Sequence, residues 1–392
     1  MSEIVSSKTR ADKRSVINPD TRQCLRSVGA TDKSKEAATS CMVYEASANS
    51  LGDKPIIIRS AKAFRSKEEQ RRYWILLITL LAVGALASLG LLVYNNPVPL
   101  DSPSFMPVVR RRMVAVGAML ISAVCQSLAT VTFQTSTNNR IITPSLLGFE
   151  ALHSTIHTSI IFFFGSTAFV RFTGGIESFL LQTVVMVGMC LLLYGWLLRG
   201  KYGNLQLMLL IGVIIGTGLR SVSTFMRRVL APSEFDLLQS RLFGSVSNAK
   251  AEYFPIAIPI IVVAAILIFT YTKKLNILSL GKSTATALGV NHQSGVIYTL
   301  ILVSVLMSVS TALVGPLTFY GFLVATLTYH AAPTYDHKYI FPMSLAIGFL
   351  IITASYFFMY HVFRAQGVVS IIIEMFGGVV FLVVLLRKGS LT

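Results

Sequence analysis

Charge is scarce in this chain. Aspartate, glutamate, lysine and arginine make up 13% of its 392 residues, against about 25% in an ordinary soluble domain, while apolar residues reach 53%. That shortage excludes a soluble globular protein. Acidic residues are scarcer still, 17 against 34 Lys and Arg, leaving a formal charge of +17. In a soluble chain such an excess would suggest nucleic acid. Here the basic residues are assigned first to loops and tails of an integral membrane protein, and no nucleic-acid partner is inferred. Cysteine is limited to Cys24, Cys41, Cys125 and Cys190, whose spacing matches neither a metal set nor a disulfide framework. An apolar run close to the start is also missing. The first begins near Tyr73, so no cleaved signal peptide is expected.

What is abundant is apolar sequence in membrane-length runs. Ten segments stand out, several close to the roughly 20 residues a helix needs to cross a bilayer: Trp74 to Tyr94, Met113 to Phe133, Leu146 to Phe164, Phe179 to Leu198, Leu205 to Thr224, Phe254 to Tyr271, Gly295 to Val314, Leu317 to Tyr329, Phe341 to Val362 and Val368 to Leu386. The expected fold is all-α and polytopic. The eighth segment is short, and Gly315-Pro316 leaves almost no loop before it. Residues 1–72 carry 15 Lys/Arg and 9 Asp/Glu without helical or strand periodicity, so they are expected to be a disordered basic cytosolic tail, with a permease domain over 73–392.

Orientation rests on that tail. Arg59, Lys62, Arg65, Lys67, Arg71 and Arg72 precede the first apolar run, and basic residues there hold the flank in the cytosol. Ten crossings then return the C-terminus, with Arg387 and Lys388, to the same side. The remaining Lys and Arg divide 9 inside and 10 outside, which by itself decides nothing. So many external arginines call for an acidic docking partner, an anionic solute or lipid headgroups.

Between the second and third runs lies FQTSTNNRIITPSLLGFEAL, Phe133 to Leu152. Its polar centre, Gln134 to Thr143, holds too many amides and hydroxyls to face lipid, where each unsatisfied group costs several kcal/mol. It is expected at a pathway or a cytosolic mouth. The string resembles the loop after the second transmembrane helix in permease subunits of iron-chelate ABC importers, a pattern near FQTxTNNRxLTPSxxGxD. Gln134, Asn138, Asn139, Arg140, Thr143, Pro144, Ser145 and Gly148 fit it, and Glu150 stands at its aspartate.

A second stretch, LNILSLGKSTATALGVN from Leu275 to Asn291, is short and amphipathic, as an interfacial helix pair would be. Gly281-Lys282-Ser283-Thr284 imitates the end of a phosphate-binding loop, but the glycine required five residues earlier is Asn276 and no strand precedes it. Nucleotide binding is therefore not expected. The stretch resembles the coupling loop of the same family, near NxLxLGxxxAxxLGV. Asn276, Leu278, Leu280, Gly281, Ala285, Leu288, Gly289 and Val290 match, and Lys282 replaces a frequent acidic residue. Gly315 to Phe322 resembles the family's GPIxFxGL signature. Gly367-Val368-Val369 and Phe376-Gly377-Gly378 resemble its final-helix pattern, without the usual proline before Gly367.

The resemblance covers about Met113 to Lys388 and implies a type II ABC importer permease. It implies two ATPase subunits pressing on the coupling loop near 273–294 through Leu280, Gly281, Lys282, Ala285, Leu288 and Gly289. It also implies an extracytoplasmic binding protein docking on Arg110, Arg111, Arg112 and Arg364, and a cytosolic gate at Asn139 and Ile141. ATP and Mg would belong to the partners; this chain would bind no cofactor and catalyse nothing. The TNNR form of the loop resembles members that pair with a second, different permease, so a heterodimer is favoured over a homodimer.

Other residues allow two readings. His153 and His157, four apart on one helix face, suit a metal or a structural role; without a third ligand no metal site is assigned. Arg220 and Glu374 are costly in lipid and are candidates for the pathway. Gly212 and Gly216 form a GxxxG run for a dimer interface or for packing within the chain. The expected function is import of a ferric siderophore, by alternating access, across the bacterial cytoplasmic membrane. An ion-gradient-driven transporter and a membrane-anchored regulatory protein acting through its tail are the competing classes. The chelate carried and the tail's role are not legible.

Overall fold

The computed structural model describes residues 63–93, 105–199, 205–246, 249–362 and 369–389; the expected tail up to residue 62 and Arg364 lie outside them. All regular structure among the described residues is helical. The chain runs α1 (Lys67–Val93), α2 (Phe105–Ser136), a 3-10 turn (Pro144–Leu147), α3 (Phe149–Thr173), α4 (Ile176–Arg199), α5 (Leu205–Val229) and α6 (Pro232–Leu242). It continues with α7 (Phe254–Thr270), α8 (Thr272–Leu278), α9 (Lys282–Ala287), α10 (His292–Val314), α11 (Tyr320–Ala331), α12 (His337–Phe357), a π turn (Phe358–Val362) and α13 (Val369–Gly389). Each of the ten expected spans coincides with one of these helices. Among the described residues, seven are long and apolar enough to cross a bilayer. The short eighth is α11, whose 12 residues cover about 18 Å.

Burial ranks the helices. The apolar windows of α2 and α10 are 67% and 72% buried, that of α1 only 22%, so α2 and α10 form the centre and α1 lies outside. The two central helices pack on each other, and α12 bridges α2 and α1. Ala118, Ser122, Ala123, Ser127 and Ala129 on α2 are buried; small residues let helices approach where lipid supplies no hydrophobic drive. Side chains set the ends. Asn291 Oδ1 accepts the Ser294 N–H at the start of α10 and Asp336 Oδ1 the Lys338 N–H at the start of α12, each at 3.1 Å. At the foot of α1, Tyr73 packs against Phe64 and Tyr339 and donates its hydroxyl to the Tyr339 carbonyl at 2.8 Å.

Helices α3 and α5 run parallel. Thr155 Oγ1 donates to the Leu219 carbonyl at 3.2 Å, Thr158 Oγ1 meets Ser223 Oγ at 2.9 Å, and Ser159 reaches Met226. At the start of the seam a Cβ added to Gly216 would lie 3.0 Å from Gly148 Cα. Gly148 itself has φ +97°, which favours glycine. The GxxxG run thus serves packing within the chain, with Gly216 on Gly148 and the Gly212 carbonyl beside it. Gly216 is 11 residues beyond Leu205, about 16 Å along α5. The start of α3 therefore sits deep in the membrane, and the segment after α2 climbs to reach it. The expected third span, Leu146 to Phe164, is corrected accordingly: α3 begins mid-membrane and runs on to Thr173 through a kink at Gly165.

Gly216→Val should cost about 1–3 kcal/mol by overpacking, lowering the thermal midpoint of the purified protein in detergent. Gly218→Val, where a Cβ meets nothing within 4 Å, should leave that midpoint in place. Equal midpoints for both variants would refute the close packing of α3 on α5.

Candidate functional site

The climbing segment is held by its own polar groups. Gln134, 1% exposed, donates Nε2 to the Arg140 carbonyl at 2.8 Å, and its own carbonyl accepts the Asn139 N–H at 3.1 Å. Asn139 Oδ1 accepts the Ile141 N–H at 2.9 Å, an Asx turn. Asn138 takes φ +50°, a conformation asparagine tolerates better than most residues. The Arg140 guanidinium lies 4.6 Å from the centre of the Tyr329 ring near the end of α11. Asn139 and Ile141 are both half-buried.

The expected helix pair is α8 and α9, joined through Gly281 at φ +90°. Leu275, Leu278 and Ala285 are fully buried and anchor the pair. Leu280 and Leu288 remain 56% and 57% exposed, and Lys282 and Gly289 are exposed with them. Two apolar side chains on an otherwise polar surface suit a protein partner. Of the six residues assigned to coupling, Ala285 is buried beneath the surface.

The pair touches the loop after α2. Asn138 Nδ2 would lie 3.6 Å from a Cβ at Gly281. Asn276 on α8 donates Nδ2 to Asp336 Oδ1 at 2.9 Å, and its Oδ1 accepts both the backbone N–H, at 3.1 Å, and the Nδ1 hydrogen of His337. The other ring nitrogen of His337 is 2.7 Å from Thr135 Oγ1, in the last turn of α2.

A second polar group sits higher. Thr318 Oγ1 is 2.8 Å from Glu150 Oε2 and 3.3 Å from Glu374 Oε1, and Arg220 Nη2 is 3.9 Å from the same Glu150 oxygen. Glu150 is 7% exposed, the Arg220 side chain 54%. Arg220 is 15 residues beyond Leu205 and Glu374 is 15 before Gly389, each about 22 Å along its helix. The cluster therefore lies within the expected fifth and tenth spans, where Arg220 and Glu374 were singled out as costly in lipid. Thr217, Arg220, Ser221, Thr224 and Arg228 are exposed on α5 at helical spacing, a polar stripe flanking the side that packs on α3. Thr217, Ser221 and Thr224 donate back to the carbonyls of Val213, Thr217 and Arg220. Such a stripe needs water or a partner, not lipid.

At the other end Arg110 and Arg111 are exposed. Arg112 Nη1 donates to the Leu91 and Leu92 carbonyls at 3.2 and 3.1 Å, capping α1. His153 and His157 stack with ring centres 4.4 Å apart, and His153 Nδ1 pairs with Gln182. No group of three His, Cys, Asp or Glu able to hold a metal occurs among the described residues. Sequence reasoning missed Thr135, Glu150, Thr318 and His337 as members of these clusters; only Glu150 carried a signal, as a carboxylate within an apolar run.

Comparison with known proteins places the whole arrangement. The chain is 70% identical over 333 residues to the petrobactin import system permease protein FatC of Bacillus anthracis, covering 85% of this chain and 94% of that protein. It is 26% identical to the petrobactin import system permease protein FatD of the same organism, over 69% of this chain and 78% of the relative. A chain of a structure described as an inward-facing metal-chelate type ABC transporter superposes with TM-score 0.67 at 18% identity, covering 80% of this chain and 99% of that one. The FecCD transport family matches residues 73–387, and the chain belongs to that family.

Proposed function

We propose that this chain is one permease subunit of an ATP-binding-cassette importer that carries a ferric siderophore of the petrobactin type inward by alternating access. The observation that carries the reading is the 70% identity extending over 94% of a petrobactin permease. The chain is a transport subunit. Two ATPase subunits with ATP and Mg supply the energy, and the chain binds no cofactor of its own. FatC and FatD are both named as permeases of a petrobactin import system in one organism, which supports a heterodimer with a second permease. The protein spans the bacterial cytoplasmic membrane with both termini in the cytosol. The basic tail over 1–72 stays there, beside anionic lipid headgroups.

Each cluster then has a task. Leu280 and Leu288 give the ATPases an apolar grip, with Gly281, Lys282 and Gly289 around it and Ala285 as its anchor. Asn139 and Ile141 close the cytosolic end. Arg220 and Glu374 border the path on α5 and α13, where the polar stripe would face water between two permeases. Arg110 and Arg111 receive acidic residues of an extracytoplasmic binding protein, joined by Arg364, while Arg112 holds α1 in place beneath them.

Uptake of radioactive iron from a panel of ferric siderophores tests the assignment. Deleting the chain should abolish uptake of one chelate. Leu280→Asp with Leu288→Asp should lower it by at least about tenfold, as loss of two apolar anchors worth over 1 kcal/mol each would do, with the protein still in the membrane. Normal import by that double variant would remove the coupling assignment.

Reversing Arg110 and Arg111 to Glu should slow binding-protein association by about tenfold at low ionic strength, with the difference fading as salt is raised. Surface binding measured on the permease in nanodiscs checks this. A salt-independent loss would mean that the arginines support the fold instead.

A further inference from the structure

We infer that His337 is a positioning residue for transport, the link of a hydrogen-bonded strut that ties the ATPase-facing helix α8 to the last turn of α2. The inference rests on the permease reading and adds the route by which movement of α8 reaches the loop over Gln134 to Thr143. Three elements distant in sequence meet in it: Thr135 ends α2, Asn276 lies on α8, and His337 opens α12.

Hydrogen positions in the strut follow from donor counts. Asn276 Nδ2 donates to Asp336 Oδ1 at 2.9 Å, so its Oδ1 is the acceptor and His337 Nδ1 must carry the hydrogen it shares with that oxygen. Neutral His337 then has an unprotonated Nε2, which accepts from the Thr135 hydroxyl at 2.7 Å. Donors thus point one way: Thr135 to His337, His337 to Asn276, Asn276 to the Asp336 carboxylate. Bonds aligned like this polarise one another and end on a charge that strengthens them. Asp336 is fixed in turn, since Oδ1 also caps α12 through the Lys338 N–H.

Burial makes the strut stiff. His337 is 3% and Thr135 7% exposed, so neither partner can exchange for bulk water without opening the packing. The Thr135 hydroxyl has a second acceptor, the Val131 carbonyl at 2.8 Å within its own helix. With a single hydrogen, it serves either His337 or Val131. Displacing α8 and α12 from α2 therefore leaves Thr135 satisfied, and the strut can break and re-form without stranding a polar group on α2. A contact that both holds and releases suits a joint between a driven helix and a gate. Beside the strut, the loop after α2 approaches the α8–α9 joint closely enough that a Cβ added at Gly281 would meet Asn138 Nδ2 at 3.6 Å.

The test uses the complete importer reconstituted in proteoliposomes with its second permease, ATPases and binding protein. The readouts are ferric siderophore imported and ATP hydrolysed. His337→Asn keeps a donor toward Asn276 and loses the bond to Thr135, and Thr135→Val loses the same bond from the other side. Each should lower chelate imported per ATP by about fivefold, the equivalent of one net hydrogen bond, while hydrolysis continues. The double variant should be no worse than either single one, because both remove one contact. Additive losses, or import and hydrolysis falling together, would overturn the strut and leave His337 a packing residue. Should the wild-type complex hydrolyse ATP yet import no ferric siderophore, the permease reading fails first and the strut with it.

Discussion

Non-helical backbone inside a bilayer must bring its own hydrogen-bond partners, because lipid offers none. The segment from Thr137 to Gly148 lives under that constraint, since α3 starts deep in the membrane. Its sequence answers in kind: the side chains of Gln134 and Asn139 are turned on the segment's own backbone, and the hydroxyls of Ser136 and Thr137 bond back to carbonyls of α2. Amides and hydroxyls that would be ruinous against lipid are what make the climb possible. The consequence reaches further. Placing Gly148 beside Gly216 brings Glu150 to the level of Arg220, Thr318 and Glu374, so the buried carboxylate cluster depends on how the segment rises.

The same chain uses hydroxyls for two other purposes. Along the α3–α5 seam, Ser154, Thr155, Thr158 and Ser223 join parallel helices. On a neighbouring face of α5, Thr217, Ser221 and Thr224 satisfy themselves against their own helix and so present a polar but undemanding wall. One helix is thereby glued along one stripe and polar along the next.

Much of this was legible in the sequence. Ten apolar runs foretold ten helices, and the helix pair over Leu275 to Asn291 was visible in its short amphipathic pattern. The six residues assigned to coupling were chosen by motif, and motif could not separate Leu280 and Leu288, which are exposed, from Ala285, which is buried. Depth was the main failure. Nothing in Leu146 to Phe164 says that its first turn lies beside the twelfth residue of another helix; that follows from two glycines in contact, a tertiary fact. His337 was invisible for a related reason. A histidine after an aspartate reads as a helix start, and its partners Thr135 and Asn276 stand 202 and 61 positions away. Arg110, Arg111 and Arg112 look alike in sequence, and only the structure shows that Arg112 Nη1 meets the carbonyls that end α1.

The seam between α3 and α5 also has a bearing's character. Its hydrogen-bonding contacts are mostly short hydroxyls, with Met226 and Arg227 the larger side chains among them, and Arg227 Nη2 serves both Ser154, at 2.8 Å, and Ser223, at 3.0 Å. A small axial slide of one helix past the other exchanges one oxygen for the next and leaves few donors empty. Interlocked leucines would have to disengage to do the same. The seam is thus joined by hydrogen bonds that could be exchanged one for another, while its register is set by the close approach of Gly148 and Gly216.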